Sequence, residues 1–239
     1  MEKPDTLKRI LDAAEQLFAR EGYHGTSFRK VAEAAGISVS LTQYHFPTKD
    51  ALYEAVFARR ILVINHDRLA KLDKVEAEAR QLKRPVDLEG ALQAFVEPTV
   101  LLARDKKSGG AQYAQLIAQL TNNPNEYARA VSRKYTDPIA RQTMRVLREA
   151  VPETDSTALP WCYLFAVGAM ISAISATGRV KLLSDGECDP DDVQRIVGLL
   201  VPFLSGGFER VAEITARGSK TPKAAKPRST KEVSGGKTL

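Results

Sequence analysis

Side chains able to read a base edge or hold a phosphate are concentrated between residues 26 and 49, T-S-F-R-K-V-A-E-A-A-G-I-S-V-S-L-T-Q-Y-H-F-P-T-K. Ser38, Ser40 and Thr42 carry hydroxyls that donate and accept, Gln43 has an amide that does both, and Leu41 offers an apolar surface to a thymine methyl group. Tyr44 and His45 follow at the end of the same stretch, where such groups reach the sugar–phosphate backbone, and Lys49 adds a positive charge. Upstream, Thr26, Ser27 and Arg29 form a second polar set. Catalytic arrangements are missing: the sequence has no serine elbow, no phosphate-cradling glycine loop and no paired acid–base motif. His24 and His66 have no partners at metal-ligand spacing. No enzyme activity, metal or cofactor is therefore expected.

These residues need two short helices set at an angle. Thr26 or Ser27 is placed to cap one, whose inner face is Phe28, Val31, Ala32 and Ala35. Gly36 makes the turn, because a positive φ costs least at glycine. Ser38 caps the next helix, about 38–45, with Val39, Thr42 and Phe46 facing inward and Ser40, Leu41, Gln43 and Tyr44 further out. Pro47 ends it, since the residue before proline avoids helical geometry. Thr48 caps a long fourth helix that places Lys49 in its first turn, where free N–H groups already attract phosphate. The result is a helix-turn-helix at about 27–46, which lays its second helix in the major groove of double-stranded DNA.

Bulk charge does not carry this reading. The net charge is +6, but the segment from Gly218 onward holds six basic residues against one acid, and residues 1–50 hold seven of each. The nucleic-acid signal rests on where individual side chains point. Cys162 and Cys188 form no disulfide or zinc pattern, and two cysteines in 239 residues fit a reducing compartment. There is no run of 18 apolar residues and no apolar signal core at the N-terminus, so a cytoplasmic protein without a membrane partner is expected.

The remaining chain reads as helix throughout. Apolar periodicity gives helices at 5–21, ended by Gly22, then at 48–83, at 87–105 with Pro98 inside, at 111–120, at 125–150 with Pro138 inside, at 157–183 and at about 190–217. With the two short helices the total is about nine, an all-α fold. We divide it into a DNA-binding domain at 1–50, a ligand-binding and dimerisation domain at 51–217, and a basic tail at 218–239. The tail is too poor in large apolar residues to order itself.

Residues 5–57 resemble the N-terminal domain of TetR-family transcriptional repressors. The matching stretches are I-L-D-A-A-E-Q-L-F, G-Y-H-G-T-S, V-A-E-A-A-G-I-S and Y-H-F-P-T-K-D-A-L-Y. One departure is Gln43, where many members carry a tyrosine two places before the histidine; Tyr44 is then the aromatic assigned to phosphate. Further on, I-N-H-D-R-L-A-K-L-D, P-V-D-L-E-G-A-L-Q-A-F-V-E-P and Y-L-F-A-V-G-A-M are similar to the branch that includes fatty-acid-responsive regulators. The resemblance implies a homodimer that binds palindromic operator DNA through its N-terminal reader and is released by a small-molecule effector, apolar, acyl or aromatic, in the C-terminal half.

Proline inside a helix removes a backbone bond and bends the helix, and two bent helices leave room between them. The expected pocket walls are Phe95, Leu116, Ile117, Met144, Trp161 and Phe165, with Tyr113, Gln119 and Arg141 as polar contacts. Solid core is the competing assignment for each of them. Close helix approach is expected at Gly168, Ser172 and Ala176, and the wide stripe of Val197, Leu200, Leu204 and Phe208 is assigned to the dimer interface. The alternative function is an effector-independent architectural DNA-binding protein, which a solid C-terminal core would favour.

Overall fold

The computed structural model describes residues 4–105, 109–122, 126–175 and 178–218. Among them the chain forms eleven helices and no strand: α1 (Pro4–Gly25), α2 (Phe28–Ala35), α3 (Val39–His45), α4 (Lys49–Leu82), α5 (Leu88–Arg104), α6 (Gly110–Asn122), α7 (Glu126–Tyr135), α8 (Asp137–Ala150), α9 (Leu159–Ile174), α10 (Arg179–Leu183) and α11 (Val193–Gly218). The all-α class stands. Ala176 and the tail beyond residue 218 lie outside the described residues.

Two helices more than expected arise from two splits. The stretch 125–150 divides at Thr136, and Pro138 falls in the first turn of α8. There its missing N–H costs nothing, so it starts a helix instead of bending one. The stretch 157–183 divides before Gly178, which has φ 64 and caps α10 in the left-handed region. Gly22 acts as expected: with φ 72 and ψ 178 it interrupts the helical path of α1.

The 34-residue α4 spans roughly 50 Å at the helical rise per residue. Its first turns bury Leu52, Tyr53, Val56 and Phe57 against α1, and Phe18 meets Tyr53 edge to face at 4.9 Å between ring centroids. Its later turns bury Ile64, Arg68, Leu72 and Ala79, packing on α5 and α8. Helix α5 is the hub of the C-terminal half, touching α4, α6, α8, α9 and α11, with Pro98 buried inside it.

Polar ties fasten α4 to its neighbours. The buried Glu15 carboxylate of α1 accepts from Arg60 Nε at 2.9 Å and also pairs with Arg59, which reaches Asp12 at 2.7 Å. Glu15 beside Arg60 holds that guanidinium above its ordinary value. Glu54 accepts from the Tyr135 hydroxyl at 2.7 Å and from Lys134, binding the end of α7. Helix α6 also touches the reader directly, as Gln119 Nε2 donates to the Ala19 carbonyl of α1 at 3.0 Å.

Candidate nucleic-acid interface

The three hydroxyls at helix starts act as caps. Ser27 accepts from Lys30 N at 3.3 Å, Ser38 from Leu41 N at 3.1 Å and Thr48 from Ala51 N at 3.1 Å. Each satisfies one of the N–H groups that a helix N-terminus leaves open and fixes the angle at which its helix begins. Gly36 turns α2 into α3 with φ 63 and ψ 42, and the Ile37 N–H closes on the Ala32 carbonyl at 3.0 Å. Arg9 of α1 clamps this turn, donating to the Ala35 carbonyl and to the Gly36 carbonyl at 3.1 Å. A Cβ at position 36 would stand 2.9 Å from the Arg9 guanidinium, a second reason for glycine there. Nothing in the helical periodicity of residues 5–21 marks Arg9 as part of the reader; its role depends on a contact 26 residues away.

Helix α3 exposes Ser40, Gln43 and Tyr44, with Tyr44 74% accessible, and leaves Leu41 and His45 half-buried. Tyr44 and His45 meet edge to face at 5.6 Å. Two expected contacts are corrected. Thr42 is fully buried and its hydroxyl donates back to the Ser38 carbonyl at 3.2 Å. Thr26 is buried, donating to the Gly22 carbonyl at 2.9 Å. Both hydroxyls are consumed within the domain, so neither is presented to a ligand. Val39, expected to face inward, is turned outward. The inner face of α3 rests on Thr42 and the following Phe46.

Lys49 lies between two capped helix starts. Its ammonium donates to the Thr26 carbonyl at 3.1 Å and stands 4.2 Å from the Tyr23 ring centroid, so it ties the start of α4 to the loop before α2. Tyr23 in turn donates to Asp50; burial and that carboxylate push its phenol up to about 12. Arg29 is exposed with no hydrogen bond or ion pair among the described residues, whereas Lys30 is held by Glu21 at 2.7 Å. Among the described residues of α2, Arg29 is therefore the positive charge without a partner, and Lys49 at the start of α4 is half-buried.

The expected pocket set separates into three groups. Phe95, Tyr113, Leu116 and Ile117 are buried together in the core. Met144 is half-buried, Arg141 is exposed on α8, and the Gln119 amide is spent on α1. Trp161 and Phe165 are 62% and 63% accessible on the outer side of α9, their rings 6.1 Å apart, so they do not share an interior with Phe95. The pocket set was built on two prolines inside helices, but Pro138 lies in the first turn of α8, so of those two only Pro98 stands in a helix interior. Two clefts open elsewhere. One of about 350 Å³ lies between the end of α4 and α8, with Glu76, Arg80, Arg84 and Arg145 on its walls, and one of about 470 Å³ lies between α8 and α11 beside Val151 and Ala212.

The interface stripe also changes face. Val197, Leu200, Leu204 and Phe208 are buried within the same chain, where α11 packs on α5, and so cannot be the surface shown to a second copy. What α11 turns outward is Leu199, Phe203 and Gly206, with Phe203 72% accessible. Neighbouring α9 turns out Trp161, Leu164, Phe165, Gly168 and Ser172, and a side chain added at Gly168 would meet nothing. An apolar stripe is thus exposed on each of two helices that touch.

Comparison with known proteins agrees with this architecture. Residues 10–56 match the family described as bacterial regulatory proteins, tetR family, and residues 93–207 match a tetracyclin repressor-like C-terminal domain. The chain belongs to the TetR family of DNA-binding transcriptional regulators. It is 49% identical over 57 residues to the HTH-type transcriptional regulator RutR of Escherichia coli K12, covering 24% of this chain and 26% of RutR. It is 26% identical over 123 residues to the regulator UidR of the same organism, covering 52% of this chain and 56% of UidR. The chain thus spans between about a quarter and about half the length of these curated relatives. The fold follows that of the fatty acid degradation regulator FadR from Bacillus halodurans, with a TM-score of 0.53 and 20% identity over 84% of this chain and 96% of that one. Among the described residues no helix is long and apolar enough to cross a membrane.

Proposed function

We propose that this protein is a dimeric repressor that binds a two-fold symmetric operator through α3 and leaves it when a small molecule occupies the C-terminal half. The observation that carries the reading is the outer face of α3. Ser40, Gln43 and Tyr44 stand free while Ser27, Ser38 and Thr48 are used to fix the helices around them. Residues 1–50 act as the reader, 51–217 as the pairing and sensing part, and 218–239 as a basic tail that adds affinity for any DNA at low salt. Two α3 helices enter successive major grooves, spaced by pairing of the α9 and α11 outer faces.

Release works through α4, whose start carries Lys49 and whose later turns pack on α5. An effector that changes the seat of α4 changes the spacing of the two recognition helices. To move a population from almost all bound to almost all released, it must prefer the released shape about 10⁴-fold, roughly 5.5 kcal/mol. Operator must then weaken effector binding by the same factor. The structural neighbour from B. halodurans is a fatty acid degradation regulator, which makes acyl compounds the first to screen. Capture of genomic fragments on the purified protein, followed by footprinting, tests the reading: a protected inverted repeat is expected, and retention of no fragment overturns it.

A second reading, an architectural DNA binder with no effector, is favoured by the close packing of Phe95, Tyr113 and Leu116. It predicts that no compound in an acyl and aromatic series releases the captured fragments.

A further inference from the structure

Arg68 is the most unusual charge in the molecule. It is 4% accessible, sits on α4 in phase with Ile61, Ile64 and Leu72, and forms no ion pair among the described residues. Its Nε donates to the Phe95 carbonyl at 2.9 Å and its Nη2 to the Thr99 hydroxyl at 2.7 Å, with the guanidinium carbon 4.7 Å from the Phe95 ring centroid. A helix carbonyl has a second lone pair, so the Phe95 oxygen can accept from Arg68 whatever its place in the α5 ladder. Nη1 makes no hydrogen bond among the described residues.

Two phenols share this interior. Tyr113 of α6 is 1% accessible, and Tyr163 of α9 is half-buried with its ring 5.3 Å from Phe95. Neither hydroxyl makes a hydrogen bond among the described residues, and the Arg68 charge is felt at both. Burial disfavours the Arg68 cation, yet guanidinium does not give up its proton at any ordinary pH. Asp67, its chain neighbour, is half-buried and forms no ion pair with it among the described residues. A buried cation with a spare N–H donor is costly unless an anion completes it.

We infer that Arg68, Tyr113 and Tyr163 form the receptor for the carboxylate of a small monoanionic acid with an aliphatic or aromatic body, and that this acid is the effector. The second half rests on the release mechanism proposed above. One guanidinium with one spare Nη matches a single negative charge; a phosphate dianion would leave the interior with excess charge. Two phenol hydroxyls supply donors to the remaining oxygen lone pairs, and the apolar side chains around Phe95, closely packed in this structure, part to admit the body. Tyr163, the most accessible of the three, marks α9 as the helix that yields on binding. Its outer face carries Trp161 and Phe165, so displacement of α9 reaches the proposed pairing surface directly.

The test uses the full chain, with thermal melting and titration calorimetry. The probes are sodium octanoate, decanoate, dodecanoate, benzoate and phenylacetate, each beside its primary amide, with inorganic phosphate as a further control. At least one acid should raise the melting temperature and bind about 10–100-fold more tightly than its amide, the range for a hydrogen bond to a charged group. Arg68→Gln should remove that preference, and Tyr113→Phe should weaken acid binding about 5–10-fold. The site is overturned if no acid raises the melting temperature, if phosphate or the amides do so equally, or if Arg68→Gln binds acid unchanged. Should Arg68→Gln fail to fold, unchanged acid affinity in Tyr113→Phe overturns it instead. Operator retention is scored in parallel. Fragments retained by a protein that binds no acid refute this site and leave the regulator reading standing. Acid bound by a protein that retains no fragment does the reverse, and acid that binds without releasing the operator overturns the effector role.

Discussion

The N-terminal helix-turn-helix and the C-terminal half place their polar groups in opposite ways. Around α2 and α3 the buried hydroxyls, Thr26 and Thr42, bond to carbonyls four residues back, the cap hydroxyls hold helix starts, and what remains faces outward as Ser40, Gln43 and Tyr44. In the other half, among the described residues, a cation without an ion pair and a phenol without a hydrogen bond lie inside: Arg68 on α4 and Tyr113 on α6 are within the core while the outer faces of α9 and α11 are apolar. A surface with free polar groups suits a polar partner such as a DNA groove. A core with a cation that lacks an ion pair and an apolar exterior suits the proposed small acid inside and second copy outside. The contrast teaches that the two binding tasks proposed for this chain differ in where polarity is left over.

The largest expected effect separates core from interface on a single helix. Phe208→Ala should lower folding stability by about 3–5 kcal/mol, because a buried aromatic leaves a cavity. Phe203→Asp should leave the monomer's chemical-denaturation curve within about 0.5 kcal/mol but dissociate the dimer, as read by light scattering. A Phe203→Asp protein that remains dimeric breaks the proposed pairing face. Next comes Gly36→Ala, which must hold a left-handed residue at about 1–2 kcal/mol and also displace Arg9. Its melting temperature and its operator affinity should fall together, and an unaffected operator affinity would show that the turn does not set the angle of α3.

Within the reader, Gln43→Ala should relax discrimination at its base position by about 1–3 kcal/mol, measured by binding to operators mutated one base pair at a time. Lys49→Ala should instead weaken all sequences alike and flatten the salt dependence by about one unit. Because Lys49 also ties Thr26 to Tyr23, a lower melting temperature with an unchanged salt slope would reassign it to a purely structural role. The smallest effect concerns Glu54. Hydrogen bonds from Lys134 and Tyr135 hold its carboxyl below the ordinary value of 4.5, so its contribution is present above that pH and is lost as pH falls through the lowered value. Lys134→Met should therefore flatten the acid side of the melting-temperature curve below about pH 4.5, and a profile unchanged from wild type would show the contact to be idle in solution.

Much of the reader was legible because it is built from local rules. Caps at Ser27, Ser38 and Thr48 and a left-handed turn at Gly36 each involve residues within about one helical turn, so spacing in the sequence states them directly. The exchange of faces on α11 was not legible. Leu199 and Phe203 are as apolar as Leu200 and Leu204, and a helix apolar over most of its circumference does not announce which side meets its own chain. Arg68 did leave a trace, as a charge at the core phase of Ile61, Ile64 and Leu72, but charges on long helices usually face solvent and the trace alone is ambiguous.

The sequence by itself determined the all-α class, the order of cap, turn, polar helix and aromatic stop in the reader, and the family to which the chain belongs, since these depend on neighbours along the chain. Only the tertiary structure decided that Thr26 and Thr42 are consumed inside, that Arg9 clamps the turn, that Trp161 and Phe165 lie outside, and that Arg68 is enclosed without an ion pair among the described residues. The reason is one of range: caps and turns are set by atoms a few bonds apart, whereas burial and charge pairing are set by helices that meet across tens of residues.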